Sequence, residues 1–308
     1  MASPGTYRAV ESVERVANIS AEAFERDYYE PERPVILTGK MSSWRAMREW
    51  TPQTLKQIFG DSVLHASLDL PTDEAPGNYK WTDHTKWMKV SEFVDILLKS
   101  ERPCYMRQAP SNRLPGFDDY FDFGAFFVDV AKRDPQPNLW FGSARTDSGL
   151  HWDTAMNFLA QVYGRKEFIL FPQSEARNLY AFRDQIRWSG FNALAPDFER
   201  YPKAKKARGI RGVLEPGEAI FIPRTWWHQF RSMETAISVN CFFRPECSTW
   251  DLCAAIANGG WQTVYNVTRD FVRFGILKRG HENRMFADIP TGMYLYNLTT
   301  AYFRRRLH

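Results

Sequence analysis

Residues 150–172 read LHWDTAMNFLAQVYGRKEFILFP. Two runs in it, Asn157 to Val162 and Glu167 to Phe171, are short, apolar and rich in aromatic and β-branched residues. Tyr163-Gly164-Arg165-Lys166 lies between them, and Gly164 can take the positive φ that a tight turn requires. The pattern predicts a β-hairpin over Asn157 to Phe171. Just upstream stands His151-Trp152-Asp153, where an imidazole and a carboxylate two positions apart in extended chain point to the same side.

Outward from this segment the same strand pattern recurs at Pro103 to Met106, Leu139 to Gly142, Glu218 to Ile222 and Ala236 to Phe243. Gly or Pro clusters separate most of these runs, which predicts an antiparallel barrel or sandwich from about residue 101 to 245. Ser174 to Gly212 is long and poor in strand signal, so we expect an insertion over one barrel mouth that acts as a lid. Residues 1–100 carry helix punctuation instead. Ser20 precedes a run to Tyr28, and Pro31 and Pro34 stop it before the strand Val35 to Leu37. Thr51-Pro52 opens a helix that Gly60 closes, and Ser91 opens another with Phe93, Ile96 and Leu97 inward. Pro71 to Trp87 is polar and turn-rich, the mark of a surface loop or irregular hairpin. After Pro245, Ser248-Thr249-Trp250-Asp251 is a capping box. Trp261, Val264, Tyr265, Thr268, Phe271 and Val272 then form an apolar stripe at helical spacing, which packs on the barrel or forms a homodimer face. The C-terminal extension is 246–308.

Composition excludes several classes. Of 308 residues, 44% are hydrophobic and 25% charged, which describes a soluble globular chain rather than a disordered one. The net charge of +4 is too small to argue for nucleic acid by itself. No apolar run reaches membrane-spanning length and no signal-peptide pattern opens the sequence. The four cysteines, Cys104, Cys241, Cys247 and Cys253, form no CxxC pair, so reduced thiols in the cytoplasm are expected.

Only six histidines occur, and His151 and His228 lie in apolar, extended surroundings. Two imidazoles and one carboxylate make the facial triad of an Fe(II) oxygenase, which leaves sites open for cosubstrate and dioxygen. On spacing alone, a strand histidine is as well read as a hydrogen-bonded core residue, and Lys166 as a solvated hairpin lysine.

Leu150 to Lys166 and Phe168 to Pro172 closely resemble the cupin-like JmjC family of Fe(II)/2-oxoglutarate-dependent oxygenases. So do Leu214 to Pro223, Trp226-Trp227-His228, Ser238-Val239-Asn240, Arg33 to Gly39 and Trp50-Thr51-Pro52. Within that family the chain resembles the asparaginyl hydroxylase of hypoxia-inducible factor and the tRNA wybutosine hydroxylase. The resemblance implies a mainly β fold, a double-stranded β-helix or jelly-roll cupin, with a helical N-terminal part and a C-terminal helical extension. It implies Fe(II) held by His151, Asp153 and His228, with 2-oxoglutarate and O2 as cosubstrates. Lys166 falls at the residue that binds the distal carboxylate of 2-oxoglutarate, since a buried dianion needs a cation. Tyr105 and Ser148 fall at its hydrogen-bonding partners, with serine replacing the threonine of the asparaginyl hydroxylase. Asn157 and Asn240 fall at amides lining the metal end. Each of these four is also open to a purely structural reading. Trp152, Trp227 and Phe242 are candidates for the pocket wall, the last two equally for ordinary barrel core.

The implied reaction is hydroxylation of a C–H bond in a protein or peptide side chain or an amino-acid-derived small molecule. A basic run, RYPKAKKARGIR over residues 200–211, and Arg304-Arg305-Arg306 read either as solvated surface or as a basic rim for an acidic peptide, a nucleotide or RNA. Hydroxylation of tRNA, which the resemblance to the wybutosine hydroxylase chiefly implies, is the alternative within the same chemistry. The alternative outside it is a non-catalytic cupin that binds metal as a sensor or scaffold.

Overall fold

The computed structural model describes residues 7–99, 102–244, 246–281 and 289–306, and in the last helix no side chain beyond Ala301. The cluster Arg304-Arg305-Arg306 therefore has its side chains outside the described residues. Thirteen strands occur among the described residues: β1 Ala9–Ser12, β2 Arg15–Ala17, β3 Val35–Thr38, β4 Val63–Leu68, β5 Thr85–Lys89, β6 Cys104–Pro110, β7 Gln136–Gly142, β8 Met156–Tyr163, β9 Lys166–Phe171, β10 Arg208–Leu214, β11 Ala219–Ile222, β12 Trp227–Ser232 and β13 Ala236–Phe243. They form a nine-stranded sheet, β2-β3-β11-β8-β13-β7-β6-β4-β5, facing a four-stranded one, β1-β10-β9-β12. The fold is mainly β, a jelly-roll cupin with helices around it.

β8 and β9 do not form a hairpin. β8 pairs with β11 and β13, whereas β9 pairs with β10 and β12. The turn at Gly164 carries the chain from one sheet to the other, and its φ of 66° is the left-handed value expected there. A Cβ on Gly164 would lie 2.1 Å from the Thr235 carbonyl oxygen, so no other residue fits without backbone movement.

β8 is buried on both faces, which explains its nearly continuous apolar sequence. Met156, Phe158, Ala160 and Val162 pack outward into a large cluster with Phe24, Trp44 and Phe93 from the N-terminal part and Phe126 from the stretch between β6 and β7. Asn157, Leu159 and Gln161 alternate toward the interior between the sheets. β13 repeats the pattern, with Ile237, Val239, Cys241 and Phe243 in the same outer cluster. Its inner residues are polar and paired across strands: Ser238 donates to Gln161 at 2.7 Å, and the Asn240 amide donates to Asn157 at 3.0 Å. The lower interior is apolar, filled by Leu159, Phe168, Leu170, Ile220, Ile222 and Phe230. One end of the barrel is thus a packed core and the other a polar chamber.

The N-terminal part is more β-rich than its punctuation suggests, for it supplies β1 to β5. Thr51 caps the helix Pro52–Phe59 as expected, but the helix expected at Ser91 starts one residue earlier, at Val90. Pro71 to Trp87 is no simple surface loop, because it buries Ala75, Pro76 and all of Trp81. The segment expected as a lid ends in a strand, since β10 covers residues 208–214. Gly209 and Gly212 mask its strand signal, and they are required because the rings of Phe171 and Phe168 lie across them.

After the barrel, Ser248 caps the helix Thr249–Asn258 with a full capping box. The apolar stripe that follows is split. Val264 packs inward beside buried Val267, whereas Trp261 is 80% exposed and Trp250, one helix earlier, 84%. Among the described residues no helix is long and apolar enough to cross a membrane.

Candidate metal centre

His151 lies in the loop before β8, and β12 delivers His228. Their backbones form an isolated antiparallel bridge with reciprocal hydrogen bonds of 3.1 and 2.7 Å. Each imidazole is then oriented by a carbonyl two residues earlier: Nδ1 of His151 donates to Gly149 at 2.9 Å, and Nδ1 of His228 to Trp226 at 2.9 Å. A carbonyl only accepts, so the proton sits on Nδ1 and the Nε2 lone pair is presented to the cavity. The Nε2 atoms lie 4.0 and 3.4 Å from the Asp153 carboxylate oxygens. Donor atoms of all three residues fall within 4.8 Å of one another, close enough for one ion to gather them.

Electrostatics favours the ligating forms. Burial, reinforced by neighbouring His228, pushes His151 down to about 3, so its ring is neutral. Burial acts to raise Asp153, but contact with His228 and the neighbouring His151 and Arg187 outweigh it and hold the carboxyl below its ordinary range.

The loop that carries the triad is braced from below. Gly149 has a φ of 75°, and Pro76 lies close over it. Its N–H donates to buried Asp147 at 2.7 Å. The other Asp147 oxygen accepts from Gln229 at 2.7 Å and from Arg231 at 3.2 Å, both on β12. Gln229 in turn accepts the N–H of Ala193 from the 174–212 segment. That segment also pairs with the loop directly, through Trp152 N–H to the Arg187 carbonyl and Ser189 N–H to the Leu150 carbonyl, each at 3.0 Å. The Trp188 indole stacks on His151, with centroids 4.4 Å apart and planes 8° from parallel.

These residues open on a cavity of about 220 Å³, and Tyr105, Ser148, His151, Asp153, Asn157, Lys166, His228 and Asn240 all line it. Lys166, at the start of β9, is only 2% exposed. Among the described residues no carboxylate or other acceptor pairs with its ammonium, which sits 5.6 Å from the Tyr105 ring centre. Trp140 donates to Asn240 at 2.7 Å and Asn240 to Asn157 at 3.0 Å, a relay that leaves the Asn157 amide nitrogen as a donor. The Ser148 hydroxyl is engaged, donating to the Gly149 carbonyl and accepting from Phe230 N–H. Trp152 and Phe242 wall the cavity as expected. Trp227 does not, since it points to the other side of the sheet and packs with Trp152, Phe171 and Leu252.

Residues 21–249, well over half of the sequence, match the cupin-like domain family. The chain belongs to the cupin-like JmjC family. It is 29% identical to lysine-specific demethylase 8 of Xenopus tropicalis over 72% of this chain and 50% of that protein. It is 27% identical to tRNA wybutosine-synthesizing protein 5 of Danio rerio over 74% and 73% of the two chains. It is 23% identical to the human bifunctional peptidase and (3S)-lysyl hydroxylase JMJD7 over 72% and 81%. The chain spans about half the length of the demethylase relatives it matches.

In this cupin-like JmjC chain the cavity also contains Arg107, Gln108, Trp140, Arg187 and Trp188, which sequence reading did not single out. Arg107 and Gln108 occupy a register slip in β6 between Met106 and Ala109, with Gln108 at a φ of 47°. A bulge leaves no pattern in composition, so only the preceding Tyr105 pointed to this strand.

Burial alone lowers Lys166 from 10.5 in free chain to about 7. The unfolded chain therefore holds this proton more tightly, and Lys166 withdraws stability as pH falls from its free value through about 7. Lys166→Met should raise the unfolding free energy of ligand-free protein by on the order of a few kcal/mol at pH 6. The gain should shrink toward pH 10.5, where the lysine is neutral in both states. Urea unfolding at pH 6, 8 and 10 reads this, and a gain independent of pH would contradict it.

Proposed function

We propose that this chain is an Fe(II)- and 2-oxoglutarate-dependent dioxygenase that hydroxylates a C–H bond of a protein or peptide side chain or of an amino-acid-derived small molecule. The observation that carries this reading is the pairing, in one cavity, of three convergent donors with a buried cation that lacks a counter-ion. A structural core has no use for an ammonium in that position, whereas a dianionic cosubstrate supplies the missing charge. The donor set also fits the metal: two neutral imidazoles and one carboxylate, on one side of a polar chamber, suit iron(II) with open coordination positions.

His151, Asp153 and His228 would hold the ion, with the Gly149 and Trp226 carbonyls fixing the rings. Lys166 would pair with the distal carboxylate of 2-oxoglutarate. Tyr105 would donate its hydroxyl to the same group, since burial raises its pKa and keeps the proton on. Ser148 would turn its O–H from the Gly149 carbonyl to the carboxylate while still accepting from Phe230. Asn157, braced by Asn240 and Trp140, would orient ligands at the metal end. When bound, iron and 2-oxoglutarate supply the oxidising chemistry for the C–H bond. The protein contributes the enclosure that keeps water out, with Trp152, Phe242 and Trp188 as walls.

The relatives' names span lysine demethylation, lysyl hydroxylation and wybutosine synthesis. Hydroxylation of tRNA remains the second reading, favoured by the exposed Lys203, Lys205 and Lys206 on the segment that also covers the site. We further propose self-association through Trp250, Trp261 and Tyr265, three exposed aromatics on consecutive C-terminal helices. Light scattering should give twice the monomer mass for the native chain and the monomer mass for Trp261→Arg, and a native monomer would contradict it.

Anaerobic titration with Fe(II) and then 2-oxoglutarate tests the main reading. A visible metal-to-ligand charge-transfer band should appear, vanish in His228→Ala and weaken at least about tenfold in apparent affinity in Lys166→Ala. Folded, iron-loaded protein without a band would instead support the non-catalytic metal-binding cupin.

A further inference from the structure

We infer that Thr291, at the start of the last helix, is a positioning residue for the metal centre. It holds the 174–212 segment in the conformation that fixes the ligand-bearing loop. The inference rests on the metal-binding reading above, whether or not the bound metal oxidises a substrate.

Thr291 opens the helix Thr291–Arg306 and is buried, although it lies well beyond the cupin-like match at residues 21–249. It grips the 174–212 segment at two points. Its backbone N–H donates to the Asp184 carbonyl at 2.8 Å, and its hydroxyl oxygen accepts the Ile186 N–H at 3.2 Å. Ile186 is buried as well, so its N–H has to find an acceptor inside the protein, and the Thr291 hydroxyl is that acceptor. The position of Thr291 is itself fixed. A Cβ on the next residue, Gly292, would collide with the Phe271 nitrogen and the Val267 carbonyl oxygen, so the first turn of the last helix lies backbone to backbone against the preceding one. Tyr294, Leu295 and Leu298 then pack on the apolar cluster that contains Ile186 and Trp152.

From Ile186 the grip reaches the triad in one step. The Ile186 carbonyl accepts the Trp152 indole N–H at 3.1 Å, and the Arg187 carbonyl accepts the Trp152 backbone N–H at 3.0 Å. Trp152 stands between the ligands His151 and Asp153. Two residues past Ile186, Trp188 lies flat on the His151 ring. The stretch that Thr291 holds therefore ties down the ligand loop at its middle residue and clamps one ligand ring. Without the hydroxyl, the buried Ile186 N–H loses its acceptor and this stretch loosens. His151 and Asp153 then spend less time in the arrangement that binds an ion, and affinity falls with that fraction. Linkage makes the effect reciprocal, so an ion that fixes His151 and Asp153 also tightens the hold of Thr291 on Ile186.

The probe is Co(II), added anaerobically to the full chain, with its visible d–d absorption reporting affinity and ligand geometry. Thr291→Val keeps the shape and removes the hydroxyl. It should weaken Co(II) binding by about fivefold or more and alter the band, while Thr291→Ser should restore native binding to within about twofold. A Thr291→Val protein that melts earlier yet binds Co(II) with native affinity and spectrum has lost a merely structural residue, and that result overturns the assignment, as does failure of serine to rescue. Should Thr291→Val not fold, hydrogen exchange in the native chain decides. Co(II) should slow exchange over residues 184–188 and 290–294 by about fivefold or more while the helix Pro52–Phe59 stays within about twofold. No slowing over 184–188, or equal slowing in all three segments, overturns the inference. A native chain that binds no Co(II) overturns the metal-binding reading itself, whereas native binding that Thr291→Val leaves intact overturns this inference alone.

Discussion

The reciprocal backbone hydrogen bonds between His151 and His228 are the constraint from which the site follows. They fix two rings from distant parts of the chain side by side, with centroids 4.3 Å apart. Once the backbones are locked, the Gly149 and Trp226 carbonyls leave each ring one tautomer and one direction. Asp153 then has a single place to go, two residues along from His151. None of this needs an ion to be present, so the centre is preorganised rather than gathered by its ligand.

Such preorganisation brings two buried imidazoles and a half-buried carboxylate into contact, and the rest of the barrel offsets that cost. The outer faces of β8 and β13 are sealed by aromatics of the N-terminal part, so the inner faces are free to carry Asn157, Gln161, Ser238 and Asn240. These satisfy one another pairwise. Asp147 performs the same service beneath the triad, tying the His151 loop, β12 and the covering segment into one hydrogen-bonded body. Lys166 is the exception. Its ammonium is buried with no charge among the described residues to answer it, which is why the proposed cosubstrate is placed against it.

Much of this was legible in residues 150–172. The alternation of strand and turn residues gave the location of β8 and β9, and the HxD spacing, with the family resemblance, gave the triad. Pairing was not legible, because a hairpin turn and a turn between sheets have the same local chemistry. β10 was hidden by glycines that exist only to admit Phe168 and Phe171. Trp227 was open to a wall or a core reading, and because alternate residues of a strand face opposite ways, its place next to His228 puts it in the core behind the site. Arg107 and Trp188 escaped notice because their roles arise from a bulge and from a loop folding back, neither of which has a sequence period.

The central claim is that one cavity binds a metal at His151, Asp153 and His228 and a dianion at Lys166. A crystal structure of the protein with Mn(II) and 2-oxoglutarate under anaerobic conditions tests it most directly. The account predicts metal density bonded to the two Nε2 atoms and the Asp153 carboxylate, with the distal carboxylate of 2-oxoglutarate against the Lys166 ammonium. Metal bound elsewhere, or 2-oxoglutarate bound away from Lys166, would contradict it.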